Sequence, residues 1–549
     1  MNNSNVKIFN KFLIGFFLIS VLFIIVLIID GYFSIGMLSD SYMDTYSSVN
    51  SSISQKLTST IPLKDNSRFR PLEYLTLQGL ANIKVLLGIS YDNFIIYNLT
   101  NLFLLISISF ITGLIILKRS QNNTSALLPV VLLLLYPNTI HNICWTSAIV
   151  DLLCTLFCLF SLFFIIFYFE KNNFANAVIS VLFLLLSLFT KETALVLLPV
   201  EILILYSFFG KESFRKLKYV YLSGILILIL YFAYRVLVIN SFANVNSLSI
   251  LNFNIIGEIT LKTLISIFIP LDYLTLNNLL KVYDFQLIIY LLALILLSVS
   301  ILLIILKSKC FKSFFFILFF FIVSISLYYI AGYVRPQMML FPFVFILIII
   351  FSNLKNYNGY GFKGFNGIIW VLLIFILFNW SYWSIKVIED WKEAYKITIL
   401  NIENFSSLEI NKEKCNLILA SPSRIKQSFM LENVSGAYNF WRYHSHLMID
   451  TLINVLNTAA LDKNSLTSKL EVSKLTSNSY EIKAKGITQF FEIQGYKLEN
   501  NRDKIYETKR IKIYPLGVNY FNKVNQVKVE IINGCDVFLY DSLSYIKLK

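Results

Sequence analysis

The segment FLIGFFLISVLFIIVLII, residues 12–29, carries no charge over eighteen positions. That is about the length that crosses a hydrocarbon core, for which roughly 17 to 25 residues are needed. Lys7 and Lys11 precede it and no small-residue cleavage pattern follows, so it reads as a retained signal anchor. Comparable runs lie at 94–117, 125–140, 146–169, 174–190, 193–209, 219–239, 285–306, 313–334, 337–352 and 367–384, giving about eleven spans. With 57% hydrophobic and 14% charged residues, the composition excludes an ordinary soluble domain. Only 10 Pro and 19 Gly among 549 residues favour long helices over barrel strands. The expected fold class is an α-helical polytopic membrane protein over residues 1–384, with a large first outer loop at 30–91.

Charge placement sets an expected orientation. With the amino terminus inside, the inner loops hold fourteen cations, from Lys7 and Lys11 through Lys118, Arg119, Lys171 and Lys211 to Lys363, against Glu170 and Glu212. The first outer loop balances five cations against five acids. The positive-inside rule then puts that loop and everything after Ser384 on the outer face. Inner lysines beside anionic lipid account for the formal charge of +15, so membrane lipids are expected partners and nucleic acid is not.

Residues 385–549 differ in composition. CNLILASP, SYEIKAKG, FFEIQGYKL, RIKIYPLG, QVKVEIING and DVFLYD read as short strands, and YHSHLMIDTLINVLNTAAL reads as an amphipathic helix. A small extracytoplasmic α+β domain is expected there. Cys415 and Cys535 both fall in this tail, either bridged or as free buried thiols. No zinc spacing occurs, and His444 with His446 lacks acidic or Cys partners, so no metal site is expected.

Charges in or at the ends of membrane helices are costly and therefore informative: Asp151, Lys191, Glu192, Glu201, Arg235 and Arg335. Lys191, Glu192, Arg235 and Arg335 fall on the expected outer face, together with Asp40 and Arg70. One carboxylate among several cations suits transfer of a sugar from a polyprenyl phosphate to a hydroxyl. Cations neutralise the phosphate leaving group, and the carboxylate takes the proton from the attacking hydroxyl. No cofactor is required, and a divalent cation is optional.

Six stretches resemble, in order, the GT-C superfamily of polytopic glycosyltransferases, in the branch related to protein O-mannosyltransferases. SDSYMD stands where that family has its outer-loop Asp pattern. RFRPLEYLTLQG, followed by Gly88 and Asn101, is similar to the family's Arg-Pro-Leu stretch. YPNTIHNICWTSAIVDLL, LSLFTKETALVLLP, YFAYRVLV and YVRPQMMLFP match its later elements. The resemblance covers roughly residues 12–384, and without tetratricopeptide repeats it points to a bacterial member in the cytoplasmic membrane. It implies Asp40 as catalytic base with Asp44 second, and Arg70, Lys191, Arg235 and Arg335 on the donor phosphate. Glu192, His141, Asn101 and Asp151 would support them, and the anomeric carbon would invert. A glycan, lipid or protein supplies the acceptor hydroxyl.

Plainer readings stand beside these. Asp40 also fits an N-cap, Arg70 and Arg335 fit lipid headgroups, and Lys191 with Glu192 fits an ion pair at a helix end. His141 fits an interfacial polar residue, and Asp151 a bond to a neighbouring helix. Trp380, Trp383 and Trp391 fit an aromatic belt. At the level of function, a flippase or transporter of lipid-linked sugars and a glycan polymerase or ligase are the alternatives.

Overall fold

The computed structural model describes residues 3–38, 45, 70–90, 93–237, 253–270, 276, 279–280, 284–308, 319–326, 336–353, 363–406, 415–425, 428–430, 452–454, 456–493, 505–519, 523–532, 535–541 and 544–548. The chain forms two compact units, the first made of residues 1–33, 48–273 and 279–386, the second of 34–47, 274–278 and 387–549.

The first unit is helical. Its elements are α1 (Asn3–Ile29), α2 (Pro71–Leu86), α3 (Ile95–Ser120), α4 (Asn123–Leu135), α5 (Pro137–Cys144), α6 (Ile149–Lys171), α7 (Phe174–Thr190), α8 (Leu197–Phe209), α9 (Glu212–Leu237), α10 (Phe253–Phe268), α11 (Phe285–Ser308) and α12 (Leu340–Asn353). The last helix, α13 (Lys363–Ser406), runs from this unit into the second. Helix α1 sits close against its neighbours because small residues let it: a Cβ on Gly113 would lie 2.8 Å from the Phe12 ring, and one on Gly15 would lie 2.6 Å from Leu127.

The expectation of eleven spans is corrected downward. Among the described residues six helices are long and apolar enough to cross a membrane, or seven if one bent pair counts as a span. Further apolar helices at Phe174–Thr190, Ile259–Phe268, Phe285–Leu297 and Leu340–Ser352 are shorter. Hydropathy reports apolar content but not where the backbone stops. The apolar run at 125–140 breaks at Tyr136, where α4 and α5 meet at 57°. Pro137 explains the break, since proline disfavours α geometry in the residue before it and Tyr136 is extended at φ −73°, ψ 117°. Helix α10 falls outside all of the expected runs.

Breaking a helix exposes backbone groups that need partners. The carbonyls of Leu133 and Tyr136 accept from the Thr139 hydroxyl at 2.6 and 2.7 Å, and that of Leu135 accepts from Ser384 at 2.9 Å. All eight residues of α5 are buried.

Among the described residues the second unit carries β1 (Asn416–Leu419), β2 (Ser421–Ile425), β3 (Ser428–Phe429), β4 (Leu452–Asn454), β5 (Asn457–Ala460), β6 (Leu470–Thr476), β7 (Ser479–Ala484), β8 (Phe490–Glu492), β9 (Tyr506–Glu507), β10 (Ile511–Val518), β11 (Val524–Ile531), β12 (Asp536–Asp541) and β13 (Ser544–Lys547). They form three sheets in the orders β13-β12-β1-β4, β6-β7-β11-β10-β9 and β3-β2-β5-β8. Strands β1 (Asn416–Leu419) and β12 (Asp536–Asp541) are buried along their whole length, as parallel neighbours with both faces covered should be. Strands β10 (Ile511–Val518) and β11 (Val524–Ile531) pair antiparallel and turn Ile511, Ile513, Val527, Val529 and Ile531 into the core. All six stretches expected as strands contain one. The helix expected over residues 443–461 is corrected in its second half: β4 (Leu452–Asn454) pairs with β1 and β5 (Asn457–Ala460) pairs with β2 (Ser421–Ile425). Pairing with the interior strands β1 and β2 overrides the helical spacing. Residues 443–451 lie outside the described residues.

Cys415 and Cys535 form a disulfide that ties the starts of β1 and β12, whose register begins at Asn416 opposite Asp536. The tail also departs from expectation at its beginning. Helix α13 does not stop at the end of its apolar stretch but continues to Ser406, burying Val387, Ile388, Trp391, Ala394, Ile397 and Ile402 at helical spacing. Trp380, Trp383 and Trp391 are buried rather than displayed as a belt, and the Trp380 indole donates to the Tyr290 hydroxyl at 2.9 Å.

Candidate functional site

Within the first unit, Arg70, Glu73, Asp151, Lys191 and Glu192 form one charge network assembled from three helix ends. Arg70 precedes Pro71, the first residue of α2, and is held non-helical at φ −140°, ψ 63°. From that position its guanidinium donates through Nε and Nη2 to Glu192 Oε2, at 3.2 and 3.1 Å. Its Nη1 lies 3.7 Å from Glu73, one turn into α2. An acid in the first turn also suits the helix dipole.

Lys191 and Glu192 occupy the break after α7. Lys191 is extended at φ −156°, ψ 146°, and a short 3-10 turn, Glu192–Val196, leads into α8. That geometry sends the neighbours apart. The Lys191 ammonium donates to Asp151 in the first turn of α6, while Glu192 accepts from Arg70. The two therefore do not pair with each other.

The side chains are enclosed without being sealed: Glu73 is 3% exposed, Lys191 10%, Asp151 12%, Arg70 14% and Glu192 25%. Burial alone would lower the Arg70 guanidinium; the charges of Glu192, Glu73 and Asp151 and the Tyr74 phenol reverse that and hold it above its ordinary value. Arg70 is thus a fixed cation. Both Arg70 and Lys191 already carry carboxylate partners, so an incoming anion must displace or share them. Guanidinium has five donors and ammonium three, which leaves hydrogen-bonding capacity on both.

Two expected supporting residues are placed elsewhere. His141 lies in α5 and is fully buried within the protein. Asn101 closes the far end of α5: its amide reaches the carbonyls of Asn142, Ile143 and Trp145 at 3.5, 3.4 and 3.2 Å. Tyr32 assists by donating to the Ile143 carbonyl at 3.0 Å and to that of Asn98 at 2.9 Å. Asn101→Leu should therefore cost about 1–3 kcal/mol by stranding buried carbonyls. A thermal unfolding midpoint in detergent that matches the parent would contradict this capping role.

Asp40, Asp44 and Arg335 lie outside the described residues. The backbone of Arg235 belongs to the last turn of α9, but its side chain is also outside them. Glu73 and Tyr32 were not anticipated. A Glu three residues after an Arg, across a proline that opens a helix, is the signal that could have pointed to the first; nothing local singles out the second. Among the described residues no group of three or more His, Cys, Asp or Glu gathers as metal ligands. The chain matches no protein-family model, and a search of curated proteins gives no match.

Proposed function

We propose that this protein is a membrane glycosyltransferase of the GT-C type, moving a sugar from a polyprenyl-phosphate donor to a hydroxyl acceptor on a glycan, lipid or protein. The observation that carries the proposal is the charge network itself. Two cations from separate helix ends, Arg70 and Lys191, stand within one enclosed cluster whose carboxylates orient them. Three carboxylates outnumber these two cations, so a donor phosphate would enter by displacing Glu192 and Asp151 from them; a leaving phosphate needs stabilised charge more than it needs a proton.

In this reading Arg70 and Lys191 take the donor phosphate, with Glu192 and Asp151 holding each cation until it arrives. Asp40 of the first outer loop is the proposed base, Asp44 its neighbour in reserve, and Arg235 and Arg335 complete the phosphate contacts. The proposed location is a bacterial cytoplasmic membrane, with the amino terminus inside and the second unit outside. The Cys415–Cys535 disulfide supports an outside tail, because such bonds persist in oxidising compartments.

The bent α4–α5 pair gives the flippase alternative one observation in its favour, since broken helices mark many transport sites. Here the groups freed by the break are taken up by Thr139, Ser384, Asn101 and Tyr32. The test offers purified protein radiolabelled polyprenyl-phosphate sugars with crude envelope acceptors. Labelled product from the parent and at least a hundredfold less from Asp40→Asn is the expected result. Lipid flipping in liposomes without any transfer would replace the enzyme by a transporter, and full transfer by Asp40→Asn would remove that residue as base.

A further inference from the structure

A second charged region lies at the other end of α6. Asp151 stands in the first turn of this 23-residue helix and Lys171 closes it, about 30 Å away at 1.5 Å per residue. Around Lys171 the ends of α3 and α8 and the start of α9 converge. The Lys118 ammonium pairs with Glu170 at 2.6 Å, and Arg119 donates to the carbonyl of Phe208. The Phe169 and Phe209 rings stack at 3.9 Å, and Lys216 stands 4.7 Å above Phe169. Lys118 lies 3.2 Å from the centroid of Phe167, and Lys218 lies 4.7 Å from that of Tyr219.

This end therefore gathers Lys118, Arg119, Lys171, Lys211, Arg215, Lys216 and Lys218 against only Glu170 and Glu212. The helix dipole accounts for part of the set. Lys118, Arg119 and Lys171 sit in the last turns of α3 and α6, where cations are favoured. Lys211 and Arg215 sit at the amino-terminal turn of α9, where the same dipole disfavours them, and Lys216 and Lys218 follow at once. Glu212 pairs with Lys216 at 3.0 Å. The dipole and the ion pairs account for Lys118, Arg119, Lys171 and Lys216 but not for Lys211 and Arg215, so the excess positive charge at this end suits an anion outside the chain.

The surroundings favour a lipid as its source. Phe214 is 48% exposed and Tyr219 68%, and beyond them α9 exposes Leu222, Ile225, Leu226, Ile229 and Leu230 as an apolar stripe. A ligand with a phosphate head and acyl tails would satisfy both regions together. We propose that Lys211, Arg215 and Lys216 form a binding site for the phosphate headgroup of an acidic glycerophospholipid, with its acyl chains along the α9 stripe. The inference rests on the membrane placement proposed above and not on glycosyl transfer.

Delipidated full-length protein would be titrated with phosphatidylglycerol or phosphatidylcholine of matched chains and read by native mass spectrometry. Phosphatidylglycerol should bind tighter, and the triple variant Lys211→Gln, Arg215→Gln, Lys216→Gln should weaken it on the order of a hundredfold. Lys474→Gln, Lys483→Gln, Lys485→Gln, three exposed lysines of the second unit, should leave it unchanged. Equal affinity for both lipids, or an unaffected triple variant, would overturn the site while leaving the membrane placement intact. Binding of neither lipid would sink the placement as well. Displacement of phosphatidylglycerol by equimolar inorganic phosphate would show that free phosphate, not lipid, is the ligand.

Discussion

Lys191→Met is expected to lower stability by about 3–5 kcal/mol, because it strands the Asp151 carboxylate in an enclosed site with its cation gone. Both side chains of this pair are about nine-tenths covered, so water screens the stranded charge poorly. Asp151→Asn alone is expected to destabilise through the complementary loss. The double variant Asp151→Asn, Lys191→Met removes both charges and should recover much of the lost stability, since a neutral amide costs far less to bury than an unpaired carboxylate.

Transfer activity separates a structural ion pair from a functional one. If Lys191 receives the donor phosphate, the double variant stays inactive although it is folded. If the pair only ties α6 to the break after α7, activity returns with stability. Unfolding midpoints in detergent and initial transfer rates on the same four proteins decide the matter. Arg70→Lys offers a parallel check. A lysine keeps the charge but cannot place two donors on Glu192 Oε2 as the guanidinium does, so the network loosens without losing a cation.

The same network shows what could be read in advance. Lys191 and Glu192 announce themselves as charges inside an apolar run, and Arg70 as the residue before a helix-opening proline. Their partners are a different kind of fact. Lys191 reaches 40 residues back to Asp151, and Arg70 reaches 122 residues ahead to Glu192, distances over which local pattern carries no information. Adjacent opposite charges invite a Lys191–Glu192 pairing that the extended backbone forbids.

Helix length escapes local pattern for a related reason. The apolar stretch at 367–384 ends where the residues turn polar, yet α13 continues because Val387, Trp391, Ala394 and Thr398 keep the helical spacing. A change of solvent is not a change of backbone. At 125–140 the reverse holds: hydropathy continues past Tyr136 while the proline after it ends the helix.

Loss of the disulfide is the largest effect expected in the second unit. The bond spans 120 residues of sequence, so it closes a loop around nearly all the strands of this unit. Chain-entropy arithmetic for a loop of that length gives roughly 4–5 kcal/mol, drawn from the freedom the unfolded tail would regain. The folded state has less to lose, because β1 and β12 remain paired through four register positions and the Asp536 amide still donates to the Cys415 carbonyl at 2.9 Å. Cys415→Ala, Cys535→Ala should therefore keep its sheets at low temperature and open the tail to protease well before the parent on heating. Thiol counting checks the premise on the whole protein. Alkylation in denaturant without reductant should label Cys144, Cys154, Cys158 and Cys310, and reductant should add Cys415 and Cys535. Labelling of all six without reductant would mean that the tail matures in a reducing compartment, which would remove the support it lends to an outside location.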